Sequence, residues 1–334
     1  MFAERVVRTV PTVPGTVLPA PELLTPALDG GAILPTGRPA PPLRAELRRI
    51  PSLRNGLTVA GVYLQTLGII VGAIWLGRWW GWILAFLLMG RAHAQFASLM
   101  HESAHRLLFR HRGLNDWVGR WLLGYPSFTP TDQYRRIHMA HHRDEFGPDE
   151  PDLALYAGYP ISRDSFRRKL WRDASGQTGW KLLKGLLRGV RSHDVATRRT
   201  ARSIVAVQLG LAVLAASVGY PLVYWLLWLL PYLTVWRVIN RLRSIAEHGG
   251  MMRSSDRRQT THTVRQHAAA RFVLVPYRIG WHLAHHCDSG IPMRNLPRYH
   301  AELVRSGYVA DGLEYRNYLS LWRALASGAP ADSR

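Results

Sequence analysis

The sequence predicts an all-α integral membrane fold: four transmembrane helices, paired as two hairpins, with histidine-rich helical segments on the cytosolic side. Three observations predict it. Two apolar blocks, Leu57 to Met89 and Ile204 to Trp236, are each 33 residues long and hold one charged residue between them, Arg78. Nearly all the basic residues lie outside the turns of these blocks. Histidines recur at helical spacing in short runs beside the blocks.

The blocks set the helix count. A helix needs about 20 residues to cross the hydrocarbon core, so 33 residues are long for one span and tight for two. Two spans are favoured because turn-prone residues sit mid-block: Gly77-Arg78 in the first, Gly219-Tyr220-Pro221 in the second. Aromatics cluster at those turns (Trp75, Trp79, Trp80, Trp82; Tyr220, Tyr224, Trp225), as at a membrane interface. Arg91 and Arg237, at the inner ends, can snorkel to head groups.

The flanks follow. Residues 1–50 read as a Pro-rich, mostly disordered N-terminal tail. Nine of the 21 prolines fall between Pro11 and Pro42, without apolar periodicity. Leu43 to Asn55 is short, basic and partly amphipathic, suited to the membrane surface. Residues 51–325 form the main domain, and 326–334 a C-terminal tail. Arg163 to Arg202 holds twelve Lys or Arg against three Asp, with apolar residues at amphipathic spacing, as for helices on an anionic leaflet.

Composition then excludes classes. One cysteine, Cys287, rules out an intrachain disulfide and cysteine-rich zinc folds, and it reads as a small buried thiol. The net charge of +21 first suggests nucleic acid. Its location beside the apolar blocks marks instead the positive-inside pattern, with both termini cytosolic and no nucleic-acid partner. Only Lys169, Lys181 and Lys184 are lysine; this Arg bias fits the inner membrane of a GC-rich bacterium.

The histidines carry the chemistry. His101 and His105 form H-E-S-A-H; His138, His141 and His142 form H-M-A-H-H; His282, His285 and His286 form H-L-A-H-H; His248 stands in A-E-H-G-G. Residues i, i+3 and i+4 share a helix face, so each run presents its imidazoles in one direction. Nine imidazoles exceed one metal's coordination and suit two adjacent metals. All must lie on one side of the membrane, which again requires a hairpin between His142 and His248. His101-Glu102-Ser103-Ala104-His105 also spells the H-E-x-x-H signature of a zinc protease, with Glu102 as general base. That reading leaves the other runs unused. Glu102, Asp152, Glu247 and Asp288 are candidates to orient imidazole N–H groups, and His300 is a weaker one. His93, His111, His193, His262 and His267 are not expected to be ligands.

At these residues the chain resembles the membrane fatty acid desaturase superfamily, whose signature is three histidine boxes. H-E-S-A-H-R resembles the first box. Asp149 to Asp152, D-E-P-D, is similar to the Asp-Pro-acid element after the second. Arg243 to Gly250 resembles the element that supplies an additional iron-ligating histidine, although Ser244 stands where the acyl-CoA branch has Asn. Trp281 to His300 resembles the third box and its Leu-Pro-x-x-His extension, with Cys287-Asp288-Ser289-Gly290 as a departure. The resemblance implies a four-helix transmembrane stem beneath a cytosolic helical cap, two non-heme irons held in that cap by the nine histidines, O2 as co-substrate, and a separate electron donor: a ferredoxin, a rubredoxin or a cytochrome b5-like protein, small and acidic. It implies a lipid acyl substrate into which a C=C bond is introduced. Lipid or carotenoid hydroxylation or ketolation on the same scaffold is the alternative. An unactivated methylene has no useful acidity, so acid–base groups alone cannot remove its hydrogens, whereas iron with O2 can.

Overall fold

The computed structural model describes residues 10–26 and 31–328. Among these residues it is helical, with three isolated β-bridges and no strand. Four helices are long and apolar enough to cross a membrane: α2 (Ser52–Leu76), α3 (Trp79–Ala104), α7 (Val195–Ser217) and α8 (Pro221–His248). Before them stands α1 (Pro41–Leu47). Between the pairs lie α4 (Thr131–Arg143), α5 (Arg163–Ala174) and α6 (Gln177–Gly189). After them come α9 (His282–Cys287), α10 (Leu296–Arg305) and α11 (Tyr318–Leu325).

Both hairpins turn where the sequence places them. Gly77 adopts φ 59° and Gly219 φ 86°, a left-handed backbone that glycine takes without steric cost. The problem of fitting two spans into 33 residues resolves at the other ends. Each helix runs past its apolar block into the cap, so lengths reach 25, 26, 23 and 28 residues. α3 and α8 therefore carry His101 and His248 on their own last turns. They pack closely at Gly90, where an added Cβ would collide with Val235. The outer faces of α2 and α7 present Leu64, Leu67, Leu209 and Val213 outward, as lipid-facing helices do. Within α8, Trp225 to Leu229 form a wider π-type turn ahead of Pro231. A proline lacks an N–H, so the regular bonding pattern is interrupted there.

The described part of the N-terminal tail, residues 10–26 and 31–50, differs from the disorder expected of it. Residues 1–9, 27–30 and 329–334, and with them most of the expected C-terminal tail, lie outside the described residues. Residues 10–26 and 31–50 are laid over the cap, with Val17, Leu23 and Ile33 buried in its core. The physical reason is bonding to distant residues of the same chain rather than local periodicity. Arg258 donates to Thr25 O at 2.6 Å, and Tyr299 donates to Gly37 O at 2.6 Å. α1 then places Arg44 and Arg48 on the two oxygens of Asp288, at 2.6 and 2.5 Å.

Candidate metal centre

Box one, box two and His248 sit at the C-terminal ends of α3, α4 and α8, with His105 as the residue that caps α3, while box three spans the short α9, His282 at its first residue and His285 and His286 in its last turn. A helix C-terminus carries partial negative charge, so ends that converge favour a cation between them. The boxes meet in the cap and divide into two groups. His101, His105, His138, His142 and His285 place one ligand atom each within 4.8 Å of one another. His141, His248 and His286 form a second such group. His282 joins it, its Nε2 3.0 Å from Nε2 of both His248 and His286. His142 links the groups: its Nε2 lies 3.1 Å from His285 Nε2, and its ring centroid 4.3 Å from that of His286.

The donor set fits metal. Nε2 atoms face Nε2 atoms, an arrangement in which lone pairs converge on a shared point. Both ring nitrogens of His101 and Nε2 of His105 are buried without a hydrogen-bond partner. Such orphans are costly unless something else binds them. Burial, reinforced by the neighbouring imidazoles, holds His138, His142, His285 and His286 well below the usual histidine pKa. Burial and the Arg135 charge bring His105 down to about 3. The rings are therefore neutral at physiological pH, which is the form that ligates metal.

The groups behind the imidazoles differ from those expected. His286 Nδ1 lies 2.5 Å from Glu145 Oε1, and Arg257 Nη1 touches the same oxygen at 2.5 Å. His141 Nδ1 bonds Glu150, which also accepts from Tyr156 OH. His248 Nδ1 donates to Thr260 O at 2.8 Å. Glu145 and Glu150 were not singled out in the sequence. Their signal is the acidic stretch that follows box two, D-E-F-G-P-D-E. Glu247 is 3.6 Å from His282 Nδ1, and its carboxylate is engaged by Arg243 at 2.7 Å. Glu102 accepts from Met293 N at 3.0 Å, so it ties box one to the loop after box three and touches no imidazole. That placement also leaves it without the general-base position of a zinc protease. Asp152 makes no side-chain hydrogen bond among the described residues; burial raises its carboxyl pKa. Asp288 serves Arg44 and Arg48. Ser244 Oγ bonds Asn240 O, in its own helix.

The remaining histidines other than His193 have other partners, and the His193 ring makes no hydrogen bond among the described residues. His93 bonds Trp228 O at 3.0 Å, His262 bonds Gly249 O at 2.7 Å, His267 bonds Arg316 O at 2.7 Å, and His300 pairs with Glu314 at 2.9 Å. His111 caps a short helix by accepting from Leu114 N. Cys287 is buried against Gly37 and Tyr308 and belongs to no metal-capable group.

A cleft of about 500 Å³ opens beside the first group. α3, α4, α6, α7 and α8 enclose it. Its inner end is made by Met100, Ile137 and Tyr134, next to box residues His101 and His138. The Tyr134 ring stacks on His138 with centroids 5.2 Å apart. Arg243 reaches the same end.

Four helices long and apolar enough to span a membrane, beneath a helical cap in which nine imidazoles gather beside a cleft, mark a membrane protein built around a metal-capable histidine centre, and its family makes it an oxidoreductase. The chain belongs to the fatty acid desaturase family, whose sequence profile matches residues 77–318. It is 26% identical over 265 residues to dihydrorhizobitoxine desaturase of Bradyrhizobium elkanii, covering 73% of this chain and 75% of the relative. It is 22% identical over 247 residues to sn-1 oleoyl-lipid 12-desaturase of Picosynechococcus sp., covering 68% and 70%.

Proposed function

We propose that this chain is an O2-dependent desaturase that introduces a C=C bond into the acyl chain of a lipid. One observation carries the reading: nine imidazoles converge in two groups, the first of them directly behind the Met100, Ile137 and Tyr134 end of a cleft that borders the membrane helices. His101, His105, His138, His142 and His285 would hold one iron; His141, His248, His282 and His286 would hold the other. When bound, such a pair supplies, with O2 and two electrons, the capacity to remove hydrogens from an unactivated methylene.

The chain's own residues do the rest. Glu145, Glu150 and the Thr260 carbonyl fix which nitrogen of His286, His141 and His248 faces inward. Met100, Ile137 and Tyr134 close the inner end of the cleft and keep water from it. The substrate's reacting carbons are thereby held at one depth, which sets the position of attack. Both termini lie on the cytosolic side of a bacterial inner membrane. The basic surface of the cap docks a small acidic electron carrier, of the ferredoxin, rubredoxin or cytochrome b5-like kind.

The test is expression in a desaturase-deficient host with lipid profiling by mass spectrometry and metal analysis of the purified chain. Two irons per chain and new unsaturated acyl chains, both lost in His141→Ala, support the proposal. Hydroxylated lipids alone would make it a hydroxylase. A single zinc with peptide hydrolysis would overturn it.

A further inference from the structure

The cleft is not uniform. Apart from Arg243, which is paired with Glu247, its inner end is largely apolar, yet Arg237 lines the cleft at the other end, toward the membrane. Arg237 and Arg243 are six residues apart, so roughly 9 Å separates them along the helix. The other arginines of this stretch are neutralised. Arg241 meets Asp173 at 3.1 Å and Arg243 meets Glu247 at 2.7 Å. Arg237 has no carboxylate within ion-pair distance among the described residues. Its Nε donates to Tyr232 O at 3.1 Å, and the guanidinium lies 4.3 Å from the Tyr232 ring. Asn240 and Gln133 line the same cleft. Polar groups of this kind serve no purpose in a passage that receives hydrocarbon alone.

A half-buried guanidinium loses hydration, and an unpaired one recovers it only from a partner. The planar fork of arginine matches a carboxylate with two parallel hydrogen bonds. The aromatic faces of Tyr232 and Trp236 hold the fork in place without neutralising it. The arrangement is an unpaired cation at one end of the cleft and, at the other, a wall of Met100, Ile137 and Tyr134 with the neutralised Arg243, backed by His101 and His138.

We propose that Arg237 is the specificity-determining residue of the cleft, binding the carboxylate of an aliphatic acid whose chain runs inward to Tyr134. The inference rests on the desaturase reading and narrows its substrate class to molecules that carry a negative charge a few methylenes from the reacting carbons. A neutral ester or alcohol of equal length lacks the group that Arg237 requires. The phosphate of a surrounding lipid offers the same charge, and the test separates the two sources.

The experiment uses the full chain in neutral detergent, loaded with the fluorescent probe cis-parinaric acid. Decanoate and 1-decanol compete for the probe. Decanoate displaces it at about tenfold lower concentration, the weight of one charge-assisted hydrogen bond. That advantage disappears in Arg237→Gln and persists in Arg237→Lys. Equal potency of acid and alcohol in the unaltered chain overturns the proposal without any variant. So does an Arg237→Gln chain that keeps the preference. Displacement by phosphatidylglycerol but not by decanoate makes Arg237 a lipid head-group contact, and the proposal fails. Iron measured on the same samples keeps the two readings apart. Absent iron with acid preference intact refutes the desaturase reading alone, and intact iron without acid preference refutes this one alone.

Discussion

His286 and Glu145 meet at 2.5 Å, Nδ1 to Oε1, where neither side chain reaches solvent. The contact joins box three to a carboxylate three residues beyond box two. It leaves His286 Nε2 to point at its neighbours in the second group. Arg257 on the same oxygen offsets the cost of burying the carboxylate, whose pKa burial raises. Glu145→Gln keeps the shape and removes the charge. The expected result is a loss of about 10- to 100-fold in metal retention, read as iron per chain after competition with a chelator. Unchanged retention would show that His286 is oriented by something else.

His248 and His262 are both buried, and they are neighbours through Gly249, whose carbonyl His262 bonds. Only His248 belongs to a metal-capable group. His248→Ala should lower the iron content of the purified chain. His262→Ala should retain iron and cost about 1–3 kcal/mol of stability, because it leaves a buried carbonyl unpaired. The reverse pattern would contradict the assignment of His248.

Arg135 of α4 clamps the end of α3. It donates to Ala104 O at 2.9 Å and to Ser103 O at 3.0 Å, and it reaches Asp116 at 2.6 Å. It thus holds box two against box one. Arg135→Met should destabilise the chain by about 1–3 kcal/mol and release metal from the group that contains His105.

The same clamp has a pH signature. Burial alone would raise the Asp116 carboxyl, but hydrogen bonds from Arg135 and Asn115 hold it below the usual aspartate value. A depressed folded-state pKa means the unfolded chain binds more protons in acid. The contribution is therefore complete above the unfolded value of about 3.9 and is lost as pH falls through the lower folded one. Thermal melts of the unaltered chain and Asp116→Asn should differ near neutrality and converge in acid. A constant difference across that range would dismiss the clamp as a source of stability.

Ile33 and Leu34 are adjacent in the N-terminal segment, but Ile33 is 2% exposed and Leu34 42%. If the segment is part of the cap, Ile33→Ala costs about 2–5 kcal/mol. Leu34→Ala should stay within about 0.5 kcal/mol. Thermal unfolding in detergent measures both, and equal small effects would mean that the segment is a loose cover.

The sequence alone determined the elements whose physics is local. Apolar length and mid-block glycines set four spans and two turns, because a hairpin is written in consecutive residues. The i, i+3, i+4 spacing identified the box histidines for the same reason. Their grouping was beyond it. His141 and His142 are neighbours in the chain, yet one helical step turns them about 100° apart, and they join different groups. Which carboxylate stands behind which imidazole was also decided in three dimensions. Glu247 is 3.6 Å from His282 and committed to Arg243, whereas Glu145 crosses 141 residues of sequence to reach His286. The N-terminal segment follows the same logic. It shows no periodicity because its order comes from partners such as Arg258, Tyr299 and Asp288, more than 200 residues away. Contacts of that range leave no pattern in a local window, and only the closed fold supplies them.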